Sequence, residues 1–524
     1  MHDTLGVQDT AGYLTFDEFI GHWSRHKPAA VAHEQDGRIT TYGQLDDLTR
    51  RMAALLGAQG IARGDRIAWI GKNADLYYQL FFAAGRLGVV MVPVGWRLAP
   101  PEMDYILRDT GAQLLFAGEG FEDLARQLSA DLPAVRRVFD EGGARAAIAA
   151  QEPAEFERGG ADDGVLQLYT SGTTGNPKGV TLTNRNIFGL RSAGLDAGLP
   201  WAEWDDDEAI MLCMPCAHIG GTGLSVVALT GGARGIVHAE FDPGKALEAI
   251  GQGITRFFIV PAALQMVIQH PKAAETDFSR LKYVMYGAAP IPLELLREAV
   301  TTMPNAGFMQ CYGMTETTGT IAILPPDDHD LAGNERMRSA GRAVPGVEIR
   351  IVDAAGEELP LGTVGEIVTR SSANMAEYWN LPEATAATRS ADGWVRTGDA
   401  AYMDADGYVF IQDRVKDMII SGGENVYPAE VESAIYGHPD VAEVAVFGVP
   451  DAKWGEAVKA VCVPRPGHTI DEDSVIAWAR TRIAGFKVPK SVDAIAALPR
   501  NPTGKILRRA LRDPYWEGRA RQVN

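Results

Sequence analysis

Twelve consecutive residues, Tyr169-Thr-Ser-Gly-Thr-Thr-Gly-Asn-Pro-Lys-Gly-Val180, hold four aliphatic hydroxyls, three glycines and one lysine. That inventory suits a polyphosphate. Gly172, Gly175 and Gly179 let backbone N–H groups come close to anionic oxygens, because no Cβ intervenes. Thr170, Ser171, Thr173 and Thr174 add hydroxyl donors, and Lys178 adds a mobile positive charge. The same residue types also build ordinary surface turns. The common phosphate loop is excluded, since it needs Ser or Thr directly after the lysine at the start of a helix. Here Gly179 follows Lys178, and Val180 to Thr183 alternate as a strand does. Leu166 and Leu168 precede the loop with the same period, so the segment reads strand, loop, strand. Thr183 is then placed to cap a following helix.

Further clusters lie downstream. Gln310-Cys-Tyr-Gly-Met-Thr-Glu-Thr317 sets a hydroxyl, Thr315, beside a carboxylate, Glu316, after a turn expected at Gly313. Near bound phosphates a carboxylate serves chiefly as a magnesium ligand; alone, the motif reads as a solvated turn with a capping threonine. Thr397-Gly-Asp399 offers a carboxylate able to accept from both hydroxyls of a ribose, while Asp404 and Asp406 read as turn formers. Asp413-Arg-Val-Lys-Asp417 and Gly422-Gly423 form a charged, then glycine-rich, junction. Pro499-Arg-Asn-Pro-Thr-Gly-Lys505 is a tight turn that presents Lys505, or else the start of a basic tail with Arg508 and Arg509. Cys213 and Cys216 make a C-x-x-C, but no second pair exists, and Leu212, Met214 and Pro215 read as the end of a buried strand.

Taken in order, these segments resemble the motifs of the adenylate-forming superfamily: acyl-CoA and aryl-CoA synthetases, firefly-type luciferases and peptide-synthetase adenylation domains. The resemblance spans Tyr169 to Lys505. It implies that Thr170, Ser171, Gly172, Thr173, Thr174 and Lys178 hold phosphates, that Tyr312 stacks on adenine, that Thr315 touches the α-phosphate and that Glu316 holds Mg2+. Gln310, Gly313 and Met314 belong to the same nucleotide site, and Gly287, Ala288 and Ala289 to its other wall. Asp399 is implied for the ribose, Arg414 for the ribose or a phosphate, and Lys505 for the transferring phosphoryl group, where a fixed ammonium stabilises developing charge. Lys416 matches the family's hinge, and Gly422 and Gly423 its pantetheine channel. His218 falls where the family faces the acyl group, with Gly220, Gly221 and Gly223 leaving room at the pocket mouth. Met309, Met314 and Ile321 either line an apolar tunnel or belong to the core. Gly95 stands where many members carry asparagine. The implied reaction is adenylation of a carboxylate by Mg·ATP followed by thioester formation with coenzyme A. A medium- or long-chain fatty acid is the favoured substrate, a ferulate- or coumarate-type aryl acid the second and the loading of a carrier protein the third. A luciferase-like oxygenase would share the first step only. A regulatory scaffold would be expected to lack Lys505 or Glu316, and both are present.

The elements that must position these residues follow from the rest of the chain. At 524 residues and 46% hydrophobic it exceeds one domain and can bury a large core. A net charge of -19 argues against a general partner in nucleic acid or at a membrane surface, so anionic substrates depend on local basic groups. Four cysteines without regular spacing suggest a reducing compartment. Met1 to Phe19 lacks the apolar core of a signal peptide, and no apolar run is long enough to span a membrane. The expected protein is cytoplasmic, a monomer or homodimer.

Apolar runs at Arg66 to Ile70, Val89 to Val94, Ala209 to Met214, Gly235 to Ala239, Arg256 to Val260 and Tyr283 to Tyr286, with helical periods between them, predict an α/β fold. Its large N-terminal domain, residues 1–412, has mostly parallel sheets flanked by helices plus a β-rich subdomain from Val347 to Val368. Residues 413–417 form the expected hinge, and 418–524 a small mobile α+β C-terminal domain. Asp140 to Gly164 shows little periodicity and is expected to be a surface connection.

Overall fold

The computed structural model describes residues 12–170, 176–330, 335–414, 417–421, 424–451, 453–500 and 506–517. Short runs rich in Val, Ile and Phe, bounded by turn residues, become strands buried on both faces, as parallel sheets require. One large sheet has the spatial order Arg342–Ala343, Gly319–Leu324, Gly307–Met314, Tyr283–Gly287, Arg256–Ile259, Ala209–Leu212, Arg234–Val237, Val31–Gln35 and Arg38–Thr41. Strands from Gly307–Met314 to Val31–Gln35 run parallel, and antiparallel strands close both edges. The second has the order Glu377–Tyr378, Lys178–Thr183, Gly164–Thr170, Val90–Val94, Arg66–Ile70, Leu114–Ala117 and Arg137–Asp140. Here Gly164–Thr170 and the strands after it are parallel, while Lys178–Thr183 and Glu377–Tyr378 are antiparallel. A four-stranded antiparallel sheet, Glu348–Val352 to Val409–Arg414, makes the β-rich part. The C-terminal region builds its own sheet around the long pair Val441–Asp451 and Gly455–Pro464, covered by the helices Pro428–Tyr436, Glu472–Arg480 and Arg508–Trp516.

Between the two large sheets lies the helix Asp75–Leu87, apolar around almost its whole circumference and buried along nearly all its length. Such a helix can only be a core element. Gly85 brings it against the N-terminal helix Phe16–His26: a Cβ there would lie 2.1 Å from the Phe16 ring. Next to it Arg86, 1% exposed, is held by Asp17 at 2.9 and 2.5 Å and by Asp46 at 2.7 Å. A buried guanidinium needs such partners, and losing one would leave an uncompensated charge. A second helix, Ile219–Thr230, is fastened to the first: the Tyr77 hydroxyl lies 2.6 Å from Thr222 Oγ1, and the Tyr78 hydroxyl donates to the Gly221 carbonyl at 3.4 Å.

A capping box between Thr41 and Gln44 starts the helix Tyr42–Ala58. Two boundaries differ from expectation. Within the presumed connection, Glu141–Ala149 is a helix capped by Asp140, whose Oδ1 accepts from the Gly143 N–H at 2.7 Å. Its buried face consists of Ala144 and Ile148, too small a signal to show as periodicity. The strand Val409–Arg414 runs into the start of the expected hinge at 413, with Arg414 paired to Asp399.

His33, on the strand Val31–Gln35, is fully buried, with Nε2 3.0 Å from Ser225 Oγ on Ile219–Thr230 and its ring stacked on Tyr78 and Phe82. Burial pushes its pKa from 6.5 down to about 4, against the opposing charge of Asp75. The folded state therefore keeps His33 neutral where the unfolded chain is protonated, so its contribution to stability is complete above about 6.5 and is lost as pH falls through about 4. For His33→Gln, denaturant titrations from pH 7 to pH 4 should show a shallower loss of stability than the parent, by on the order of 3 kcal/mol at the acid end. Parallel pH profiles would contradict this.

Candidate active site

The hairpin Gly164–Thr170 and Lys178–Thr183 sets Thr170 opposite Lys178 in register. Ser171, Gly172, Thr173 and Thr174 lie outside the described residues. The hairpin base is anchored laterally: the Tyr169 hydroxyl donates to Asp109 at 2.5 Å, Trp379 Nε1 donates to the Asp109 carbonyl at 3.0 Å, and Arg66 lies 3.3 Å over the Trp379 ring. Burial and the Asp109 charge keep the Tyr169 hydroxyl protonated.

The second motif comes from the other sheet. After Gly307–Met314 the chain makes one 3-10 turn, Thr315–Thr317, reverses at Thr318 (φ 54°) and Gly319 (φ 101°), and returns as Gly319–Leu324. The reversal is therefore at Thr315 to Gly319 and not at Gly313. Gly313 sits in the strand beside a register shift, where a Cβ would lie 1.7 Å from the Gly319 carbonyl oxygen. The turn delivers Glu316, 6% exposed, to the edge of the opposite sheet. Its Oε1 accepts from the Tyr378 hydroxyl at 2.8 Å and from the Thr170 hydroxyl at 3.4 Å. Lys178 Nζ lies 4.8 Å over the Tyr378 ring. Burial, then the charge of Glu316, raises the Tyr378 pKa, which fixes that hydroxyl as a donor.

The third motif meets the second through a side chain: the Tyr312 hydroxyl donates to Asp399 Oδ2 at 2.7 Å. Asp399 is aimed by its own motif, its N–H donating to Thr397 Oγ1 at 3.1 Å. Gly287 and Ala288 end the neighbouring strand, Ala288 with φ 64°. Tyr286 beside them is buried, its hydroxyl 2.9 Å from His329 Nε2 and donating to Gln310 Oε1 at 3.4 Å. Burial pushes His329 down to about 4, so that contact is made by a neutral ring. Asp404 accepts from the N–H groups of Asp406 and Tyr408, which is a turn and no ligand site. The Arg414 side chain, Lys416, Gly422, Gly423 and Lys505 lie outside the described residues. Ile506 to Arg509 line the same cavity as Thr315 and Glu316.

That cavity, of about 1540 Å³, joins the clusters. It passes Thr170, Lys178, Thr315, Glu316 and Gly398, then continues along the helix Ile219–Thr230 between apolar walls. His218, at the N-cap position of this helix, lines it; burial, then the charge of Arg97, pushes its pKa down to about 4, so it is neutral at physiological pH. Met309 and Met314 are in the lining, whereas Ile321 is core. Gly221 is in the lining too, and a Cβ there would lie 2.2 Å from the Pro215 carbonyl oxygen, so its close backbone packing is a further reason for glycine. Cys213 and Cys216 are buried thiols held near pKa 12 by desolvation, and no group of three or more His, Cys, Asp or Glu among the described residues is arranged to hold a metal. Tyr378 and the distal residues Trp201, Trp204 and Arg191 have no counterpart in the sequence reading. Tyr378 lies 62 residues from its partner Glu316, in a two-residue strand with no motif spacing to betray it.

Gly313→Ala should lower the thermal unfolding temperature by several degrees, because backbone that cannot yield is worth roughly 1–3 kcal/mol when overpacked. Gly220→Ala is the control: its Cβ would meet only the Phe258 ring at 3.4 Å and should change little. Equal effects would remove the argument from close approach.

The sequence profile of the AMP-binding enzyme family matches residues 20–379, and that of the AMP-binding enzyme C-terminal domain matches residues 430–505. The chain is 41% identical over 504 residues to the fatty acid–(acyl-carrier-protein) ligase ScoC of Streptomyces coeruleorubidus, covering 96% of each chain. It is 39% identical over 500 residues to a feruloyl-CoA synthase of Amycolatopsis, covering 94% of this chain and 98% of the other. Among solved structures, ATP-bound MatB from Rhodopseudomonas palustris superposes with a TM-score of 0.85 at 31% identity, covering 96% of this chain and 99% of that one.

Proposed function

The chain belongs to the AMP-binding enzyme family, and on that footing we propose that it ligates a hydrophobic chain-like carboxylic acid to the thiol of coenzyme A through an acyl-adenylate. The observation that carries the choice of acid is the apolar arm beside Ile219–Thr230, walled by Val226, Phe258, Val260 and Met285 and continuous with the Thr315 and Glu316 pocket. A slot bounded by helix and strand side chains favours an extended medium or long acyl chain over a compact aryl acid.

In this reading the acid's carboxylate attacks the α-phosphorus of ATP and pyrophosphate leaves. Thr170 and Lys178 bind the departing phosphates, Thr315 donates to the α-phosphate, and Asp399, oriented by Tyr312, accepts from the ribose. Glu316, a carboxylate in the lining beside Thr170 and Lys178, would hold a magnesium ion there. Bound there, the ion would neutralise charge on the phosphates. Tyr378 and Thr170 hold that carboxylate in place beforehand. Lys505 supplies the second cation, from the C-terminal domain beginning at residue 418. That domain turns about 413–417 for the second step, in which Gly422 and Gly423 border the pantetheine arm and the thiol displaces AMP.

Pyrophosphate release should be acid-dependent, highest for medium or long alkyl chains, and yield an acyl-CoA when coenzyme A is present. Preference for ferulate or benzoate would reverse the choice of acid, and transfer only to a carrier protein's pantetheine would reverse the choice of thiol. Lys505→Ala should reduce adenylation on the order of a hundredfold or more while leaving thioesterification of a supplied acyl-adenylate nearly intact. Equal loss in both half-reactions would remove Lys505 from its role.

A further inference from the structure

The helix Ile219–Thr230 acts as a measure of the apolar arm. Its first residue lies against Gly319, next to the Glu316 turn, and its 12 residues carry the wall about 18 Å to Thr230. The far end is built from fixed groups. Trp23 Nε1 donates to the Thr230 carbonyl at 3.1 Å, the Tyr42 hydroxyl donates to the carbonyls of Leu229 at 3.1 Å and Ala233 at 2.7 Å, and Trp204 packs against Gly231.

Two arginines reach this end, and they differ in whether protein groups hold their terminal nitrogens. Arg256, 3% exposed, is held through its terminal nitrogens: it pairs with Glu208 at 2.7 Å, donates to the carbonyls of Trp201 and Glu203, and lies 3.7 Å over the Trp204 ring, while its Nε is buried without a partner among the described residues. It ties the Trp201 to Glu208 segment across the end of the arm. Arg191 also lines the cavity, yet among the described residues it makes no hydrogen bond or ion pair, and its Nε is buried. The groups whose charge it feels are the Tyr13 and Tyr42 hydroxyls, and burial draws its pKa down only to about 10, so it stays positive at neutral pH. A guanidinium carries five N–H donors in a rigid fork that matches a carboxylate. Among the described residues none of them is taken by a protein acceptor, and a ligand oxygen in the cavity would have the whole terminal fork to accept from.

We propose that Arg191 is a specificity-determining residue that receives an oxygen acceptor on the far end of the acyl chain, a second carboxylate or a carbonyl oxygen. This rests on the ligase reading above and narrows its substrate to chain acids oxygenated at the end remote from the reacting carboxylate. The chain's methylenes fill the arm, its near carboxylate meets the Thr315 and Glu316 pocket, and its far oxygen spends the Arg191 donors.

The test compares three acids of matched length, unsubstituted, ω-carboxylated and ω-oxo, by pyrophosphate release in the full-length enzyme, over lengths that bracket the arm. The oxygenated acids should be preferred in kcat/KM by roughly tenfold or more, a difference of one charge-assisted hydrogen bond, expressed mainly in KM. The ω-carboxylated and ω-oxo arms say which oxygen is read. Arg191→Met should raise activity with the unsubstituted acid while lowering it with the oxygenated ones, and Arg191→Lys should keep part of the preference. Opposite movements cannot come from misfolding, and the parent enzyme's own preference tests the claim without any variant. Equal or better use of the unsubstituted acid by the parent, or equal loss of all three in Arg191→Met, would overturn the inference and leave the ligase reading standing. No acid-dependent release with any acid would overturn both.

Discussion

Glu316 is the point on which the site turns. Its backbone belongs to the turn after Gly307–Met314 in one large sheet, and its carboxylate is held by Tyr378 and Thr170 from the edge of the other. The seam is doubled by main chain, since the Met375 N–H donates to the Glu316 carbonyl at 2.8 Å. A buried carboxylate is expensive unless its lone pairs are satisfied. Two neutral hydroxyls satisfy geometry more than charge, and the nearby cation, Lys178, stands over the Tyr378 ring instead of against the carboxylate. The charge of Glu316 is therefore left without a cationic partner among the contacts that hold it, which is what the proposed magnesium role requires. Aligning the sheets and placing that carboxylate are one arrangement.

The second constraint is the rigidity of Ile219–Thr230. Tyr77, Tyr78 and His33 fix its buried face and Trp23 and Tyr42 fix its end, so one wall of the cavity is set by the core. The opposite wall hangs on Arg256 and its contacts with the Trp201 to Glu208 segment. The contrast between Arg256, whose terminal nitrogens are paired, and Arg191, which has no hydrogen bond or ion pair among the described residues, gives the far end its chemical character.

Legibility in the sequence followed how locally each feature is encoded. The hairpin around Lys178 was readable because its period-two pattern and its phosphate-binding residue types are contiguous, and the cap at Thr183 because a cap is a four-residue affair. The parallel strands were readable as apolar runs. The helix Glu141–Ala149 was not, because alanine carries little hydrophobic contrast between faces. The close packing of Gly221 on the Pro215 carbonyl was not readable either, because only the tertiary path of the chain brings the two together.

By itself the sequence determined the set of chemical groups and their local geometry: a hydroxyl-rich loop with a lysine, a Thr-Glu pair after a strand, a Thr-Gly-Asp turn, a lysine near the end, and the α/β class of the fold. These depend on interactions within a few residues. Only the tertiary structure decided that Tyr378 holds Glu316, that Tyr312 orients Asp399, and that Arg191 and Trp204 end the apolar arm. Those pairings join segments tens to hundreds of residues apart, and no local spacing records them, because each is fixed by how two sheets and the helices between them pack.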